Sequence, residues 1–160
     1  MRAIQNAIEE KPNGEIVDYR AIFPKDLFFP EGSFRDKTEA MEYMTEIMKK
    51  KDYITESVKQ SIFKREEMAT TELGSLVAIP HALLNNTQEA VVSVMILNKP
   101  ILWENEKVQV VLLLNIPKDK YAIWEVVFKR LYQYLIGEQG VTRLIRNRNY
   151  EEFIGYLEQG

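Results

Sequence analysis

Three short stretches of this chain, residues 76–79, 90–97 and 108–114, are rich in Val, Leu and Ile and apolar on both alternating faces. A strand with one wet face alternates apolar and polar residues, so strands apolar on both sides must be covered on both sides. The remaining segments carry a different period. Ala40, Met41, Met44, Ile47 and Met48 recur at helical spacing behind the capping pair Asp36 and Glu39, which predicts a helix over about 37–51. Methionines at that spacing belong to a core more readily than to an adaptable binding groove. A second helix is expected after Thr55, with Val58, Ile62 and Phe63 inward and Lys59, Lys64 and Glu67 outward. The final third reads as helical, with stripes Ile123–Val127–Leu131–Tyr134, Val141–Leu144–Ile145 and Phe153–Ile154–Leu157, the last opened by Asn149 with Glu152. Between the last two strands, Asn98 to Trp103 reads as a loop or short edge element. Helices alternating with doubly buried strands predict a layered α/β domain.

Size and composition narrow the function. With 160 residues, 46% of them hydrophobic, the chain can bury a substantial core as one domain. Residues 1–19, with Ile4 and Ile8 before the turn signal Pro12-Asn13-Gly14, read as a linker or the tail of a preceding domain, and residues 20–160 as the domain itself. The runs Val108 to Ile116 and Ala90 to Leu97 are too short to span a bilayer, and the first residues lack a secretory apolar core. A cytoplasmic setting without membrane insertion is the expectation. There is no cysteine and one histidine, so a disulfide, a thiol-based triad or a His/Cys zinc site cannot be built within one chain. No metal and no cofactor is expected. The net charge of -3 gives no general attraction to nucleic acid. Arg143, Arg146 and Arg148 read as a solvated helix end, and Trp103 and Trp124 as core or rim. Glu66 and Glu67 are adjacent and diverge on a helix, so they do not make a carboxylate pair.

The chemistry converges on the lone histidine, His81. It follows an apolar run and Pro80, which fixes its own φ and restricts Ile79. Arg65 lies sixteen residues earlier near the expected end of the second helix, with Thr70, Thr71 and Gly74 between. Gly74 suits a turn needing a positive φ. Arg65 offers a permanently charged planar fork for an oxyanion, and the threonines offer hydroxyls. Imidazole is substantially neutral and nucleophilic at cell pH. Together these groups suit a phosphoryl ligand. No glycine-rich nucleotide loop is present, which points to phosphate arriving on a protein and not on ATP.

The stretch Glu66 through Ala82, with Leu73-Gly74 and Val77-Ala78-Ile79-Pro80-His81-Ala82, resembles the active-site signature of enzyme IIA domains of the mannitol/fructose class. These belong to the bacterial phosphoenolpyruvate-dependent sugar phosphotransferase system. Arg65 and Thr71 also fall where that family carries an arginine and a threonine. The resemblance covers about residues 20–159, including Phe34 through Ala40 before the first helix and Ile101-Leu102-Trp103 before the last strand. It implies an α/β sandwich, a mixed sheet between helices, whose histidine accepts phosphate from the carrier HPr and passes it to a IIB domain. His81 would be phosphorylated through the nitrogen remote from the backbone, with Arg65 stabilising the phosphoryl group.

One departure stands out. Transport-type members of that family usually carry a second histidine after the strand corresponding to 108–114. This chain reads Asn115 through Tyr121 there, which leaves Lys120 or Tyr121 as the counterpart that could bind a phosphoryl oxygen. The bland alternative is a solvated Lys120 and a packed Tyr121. Related IIA-like domains serve as C-terminal regulatory modules of transcriptional regulators and antiterminators, and these often lack the second histidine. The expected function is therefore a phosphoacceptor module whose state sets contacts with a regulator's other domains. The alternatives are a IIA phosphocarrier serving a sugar transporter and a domain that binds partners without being phosphorylated. Neither the sugar nor the oligomeric state is written in the sequence.

Overall fold

The computed structural model of the chain describes residues 16–83, 89–137 and 139–159. Five strands make one mixed sheet in the order β1-β4-β5-β3-β2. They are β1 Phe28–Gly32, β2 Glu72–Gly74, β3 Leu76–Ala78, β4 Val91–Leu102 and β5 Lys107–Asn115. β4 and β5 form a central antiparallel hairpin; β1 runs parallel to β4, β3 runs parallel to β5, and β2 closes the edge antiparallel to β3. The helices are α1 Tyr19–Ile22, α2 Lys37–Lys50, α3 Glu56–Met68, α4 Tyr121–Ile136, α5 Gly140–Asn147 and α6 Tyr150–Glu158.

The doubly apolar strands are covered on both faces, as their sequence requires. Val92, Val94, Ile96, Leu112 and Leu114 point to one side and pack with Val127 and Leu131 of α4, Leu144 of α5 and Phe153 of α6. Val91, Met95, Leu97, Val111 and Leu113 point to the other and meet Met41, Met44 and Met48 of α2 with Val58 and Ile62 of α3. The α2 methionines are therefore core. Burying each such side chain stabilises the fold by about 1.5–3 kcal/mol. Val17 and Tyr19 are buried in the first of these clusters, so the packed body begins before residue 20. Residues 1–15 of the expected linker lie outside the described residues.

The caps form as the sequence indicates, with one shift. Asp36 accepts the N–H of Glu39 at 3.0 Å, Thr55 that of Val58 at 3.2 Å, and Asn149 that of Glu152 at 2.9 Å. The return bond of Glu39 goes to the N–H of Arg35 at 2.8 Å, one residue before the cap. Asn98 to Leu102 belongs to β4, not to a loop. The strand continues past a register shift between Ile96 and Ile101. The shift strands the Leu97 carbonyl, which accepts from Nε2 of Gln109 at 2.8 Å and from Arg148 at 3.3 Å. This accounts for a glutamine inside an otherwise apolar strand.

The basic cluster is not a solvated helix end. Arg143 stacks its guanidinium 4.3 Å from the ring centre of Tyr134, Arg146 donates to Gln139 at 2.6 Å, and Arg148 donates to the Pro30 carbonyl at 2.8 Å. Sequence spacing shows charge; it does not show which carbonyls a register shift leaves open. Among the described residues no helix is long and apolar enough to cross a membrane, and no group of His, Cys, Asp and Glu could hold a metal ion.

Candidate functional site

β3 and β5 run parallel, and just beyond the end of β3 His81 pairs with Leu114. The Leu114 N–H donates to the Pro80 carbonyl at 2.9 Å, which pins the turn that carries the histidine. The half-buried His81 ring has its Nδ1 2.8 Å from the carbonyl oxygen of Ile79. A carbonyl oxygen only accepts, so Nδ1 carries the proton and Nε2 keeps the lone pair. The nucleophilic nitrogen is therefore the one remote from the backbone.

His81 borders a cavity of about 270 Å³ formed with Ile79, Ala82, Leu114, Ile116, Tyr121, Trp124 and Phe128. The first turns of α4 form one wall. That helix is sixteen residues long, its first turn holds no acidic residue, and its N-cap, Lys120, makes no side-chain capping bond. The cavity meets the side of this helix through Tyr121, Trp124 and Phe128, and Asp119 immediately precedes its N-cap.

Helix α3 supplies the opposite support. The Ser61 hydroxyl accepts the N–H of Leu83, two residues past His81, at 2.7 Å. Residues four apart share a helix face, so Arg65 lies on the Ser61 side of α3, next to the histidine loop. Arg65 donates from Nη1 to the carbonyl of Ala69 at 2.7 Å, closing the C-terminal turn of α3. Its remaining guanidinium donors are those that chemistry at His81 would draw on.

The other expected site residues separate. The Thr71 hydroxyl is buried and donates to Oε1 of Glu66 at 2.6 Å, while the Thr71 carbonyl accepts the Ile79 N–H at 3.1 Å. Thr71 therefore supports the histidine from behind. Thr70 accepts the Glu72 N–H through its hydroxyl at 3.2 Å. Gly74 has a φ of +85°, as the turn requires, but it ends β2 and lines another groove with Leu76, Tyr132 and Ile136. Tyr121 borders the cavity of His81. Lys120 lines a different and larger space, about 830 Å³, with Asp18, Asp52 and Glu89. His81 and Tyr121 thus border one cavity, Arg65 is not among the residues that line it, and Gly74 and Lys120 line other spaces.

Two contributors were not proposed as site residues from the sequence, although Glu66 opens the quoted signature. Ser61 carries no signal beyond its place one turn before Arg65. Glu66 does carry one, because it continues the inward stripe Val58, Ile62 at four-residue spacing. Its side chain is only 4% exposed, and besides Thr71 it accepts Nε1 of Trp103 at 2.9 Å and Nζ of Lys37 at 3.3 Å. Trp103 is correspondingly core, while Trp124 stands at the cavity rim.

Residues 21–160 match the family described as phosphoenolpyruvate-dependent sugar phosphotransferase system, EIIA 2. The probable licABCH operon regulator of Bacillus subtilis is 34% identical over 135 residues, covering 84% of this chain and 21% of that protein. The chain therefore spans about a fifth of that regulator's length. The mannitol-specific phosphotransferase enzyme IIA component of Halalkalibacterium halodurans is 28% identical over 126 residues, covering 77% of this chain and 85% of that protein. Among solved structures, the Escherichia coli complex of enzyme IIA and phosphorylated enzyme IIB for mannitol aligns with a TM-score of 0.70 at 20% identity, over 84% of this chain and 97% of the matched one. At that identity the likeness establishes the fold, the mixed-sheet sandwich.

Proposed function

This chain belongs to the phosphoenolpyruvate-dependent sugar phosphotransferase system EIIA 2 family, and we propose that Nε2 of His81 accepts a phosphoryl group from HPr. The carrying observation is the 2.8 Å contact between Nδ1 and the Ile79 carbonyl, which leaves Nε2 as the free base on a ring that borders a cavity walled by α4. In the transfer, the Nε2 lone pair attacks phosphorus, the Nε2–P bond forms, and the bond from phosphorus to the donor breaks with its electron pair leaving on the donor. Nδ1 keeps its proton throughout and goes on donating it to the Ile79 carbonyl. Positioning and electrostatics, not covalent assistance, are what the protein adds to an in-line transfer. Arg65 supplies the charge for the incoming oxygens, and the Tyr121 hydroxyl is the side-chain donor on the facing wall.

The module acts as the regulatory IIA-like part of a sugar-responsive transcriptional regulator or antiterminator, with the packed body from about Val17 onward as its phosphoacceptor domain in the cytoplasm. Two observations support this reading: the 34% identity to an operon regulator, and a single histidine in the whole chain. The coverage of 85% of a mannitol-specific IIA component keeps a second reading in view, a phosphocarrier that hands its phosphate to a IIB domain.

The test is incubation with phosphoenolpyruvate, enzyme I and HPr, followed by mass spectrometry under conditions that preserve phosphohistidine. One acid-labile phosphate on wild type and none on His81→Ala is the expected result. No phosphate on wild type, or equal phosphate on His81→Ala, overturns the proposal. Adding a IIB domain to the phosphorylated protein then separates the two readings, because a regulator module keeps its label and a carrier loses it.

A further inference from the structure

Behind His81 runs an unbroken relay of hydrogen bonds that ends in a buried carboxylate. Oε1 of Glu66 accepts the Thr71 hydroxyl at 2.6 Å, and Oε2 accepts the Thr71 N–H at 3.2 Å, so one carboxylate grips one residue twice. The carbonyl of that residue then holds the Ile79 N–H at 3.1 Å, and the Ile79 carbonyl holds Nδ1 of His81 at 2.8 Å. The register of β2 against β3 depends on the same grip, because Glu72 pairs with Ala78 directly beside it. Glu66 is fixed in turn by Trp103 Nε1 at 2.9 Å and by Lys37 Nζ at 3.3 Å, from two other elements of the fold. A buried carboxylate gripping an isolated surface strand would need no such anchoring from α2 and the β4–β5 turn.

We infer that Glu66 is a positioning residue for His81, holding the Ile79 carbonyl through Thr71 so that the imidazole stays in the Nδ1–H tautomer with Nε2 presented to the cavity. Glu66 never meets the phosphoryl group; it acts two hydrogen-bonded residues away. The inference deepens the proposed phosphoryl acceptance and rests on it for its purpose, but its main observable is a property of the unphosphorylated ring. Loss of an orienting partner behind a functional histidine typically costs about 10–100-fold in activity or affinity. A cost of that size is expected here in the maximal rate of phosphate uptake, with the donor concentration for half-maximal rate unchanged.

The lone histidine makes the test unambiguous, since every imidazole nitrogen signal of the protein belongs to His81. In ¹⁵N spectra of the free protein, wild type is expected to show Nδ1 as pyrrole-like and Nε2 as pyridine-like. Glu66→Met removes the acceptor at similar volume and is expected to move both nitrogens towards the tautomer average. Glu66→Gln, which keeps one acceptor oxygen, is expected to restore part of the difference. Because Glu66→Met takes the acceptor from Trp103 and one of two carboxylates from Lys37, at a cost to folding, Thr71→Val and Thr71→Ser provide a second pair. The serine variant keeps the hydroxyl bond and wild-type shifts; the valine variant shifts as Glu66→Met does. Wild-type nitrogen shifts in a folded Glu66→Met, or Thr71→Val indistinguishable from Thr71→Ser, overturn the inference. If the nitrogens move as expected while wild type takes no phosphate from HPr, the positioning role stands and the proposed function falls.

Discussion

The N–H of Leu83 donates to the Ser61 hydroxyl across 2.7 Å, tying the loop beyond His81 to the middle of α3. A partly solvated bond of this kind contributes about 0.5–1.5 kcal/mol net. Ser61→Ala is expected to leave the fold intact and to speed amide exchange at Leu83 by up to about tenfold, the equivalent of ~1.4 kcal/mol. Residue-resolved hydrogen exchange checks this; unchanged exchange at Leu83 would show that the loop is held by other contacts.

Arg65 has two duties on the same side chain. One Nη atom closes the C-terminus of α3 on the Ala69 carbonyl, and on the proposed function the rest of the fork serves the phosphoryl oxygens. Arg65→Lys keeps the charge but not the fork geometry. The expected result is a stability change within ~1 kcal/mol and a phosphohistidine that forms about 10–100-fold more slowly, the size of one lost hydrogen bond to a charged group. Rapid-quench labelling alongside urea titration separates the two effects.

The sandwich was legible because its cause is local: β4 and β5 announce themselves by being apolar on both faces, and α2, α3 and α6 by periodicity and caps. The misread or unseen elements were those whose cause is not local. β1, which contains Pro30, and the three-residue β2 carry too little pattern to stand out. They exist because β4 and β3 offer them open edges. The end of β4 was hidden by Lys99-Pro100, and its partners, Gln109 and Arg148, are remote in sequence. At the candidate site, the sequence singled out His81 and Tyr121, which share a cavity. Which threonine atom faces the ligand was not legible, because Thr71's hydroxyl is committed to Glu66 by a contact that only the packed α3 reveals.

Glu72 gives the stability a pH signature. Desolvation pushes its carboxyl up, but the N–H groups of Asn105, Glu106 and Glu104 outweigh that and hold it below the usual carboxylate range. A group depressed on folding stabilises the native state above its unfolded value, about 4.3, and loses that contribution as the pH falls through the folded value. Glu72→Gln should therefore lower the melting temperature at pH 7, and the difference from wild type should shrink as the pH is taken from 5 towards 3. A difference that persists unchanged at pH 3 would mean that the amide, not the charge, is what the β4–β5 turn lacks.

Gly74 separates structural need from chemical need. Its φ of +85° disfavours any side chain, although a Cβ built there meets nothing within 4 Å. Gly74→Ala should cost about 1–2 kcal/mol through the backbone alone. Because the glycine lies at the far end of β3 from His81, phosphate uptake at a temperature where the variant is folded should match wild type. A selective loss of uptake would place the turn in the site after all.

Tyr121 lines the cavity that His81 borders, and with Lys120 it is one of the two positions the sequence offers in place of the second histidine usual in transport-type domains. Among the described wall residues it brings the one side-chain hydroxyl to an otherwise apolar lining of Ile79, Leu114, Ile116, Trp124 and Phe128. Tyr121→Phe keeps the ring and its packing and removes that donor. If the hydroxyl meets a phosphoryl oxygen, phosphohistidine should form or persist about 3–30-fold less well, with stability unchanged, as expected for a hydrogen bond worth roughly 1–2 kcal/mol at a charged acceptor. Tyr121→His supplies an imidazole, whose second nitrogen both donates and accepts, and transfer onward to a IIB domain should then rise relative to wild type. Labelling of the three proteins with and without a IIB acceptor measures both steps. Faster onward transfer in Tyr121→His with normal uptake would mean that the exchange of histidine for tyrosine at this wall retains phosphate on the module, which suits a domain that reports phosphorylation more than one that passes it on.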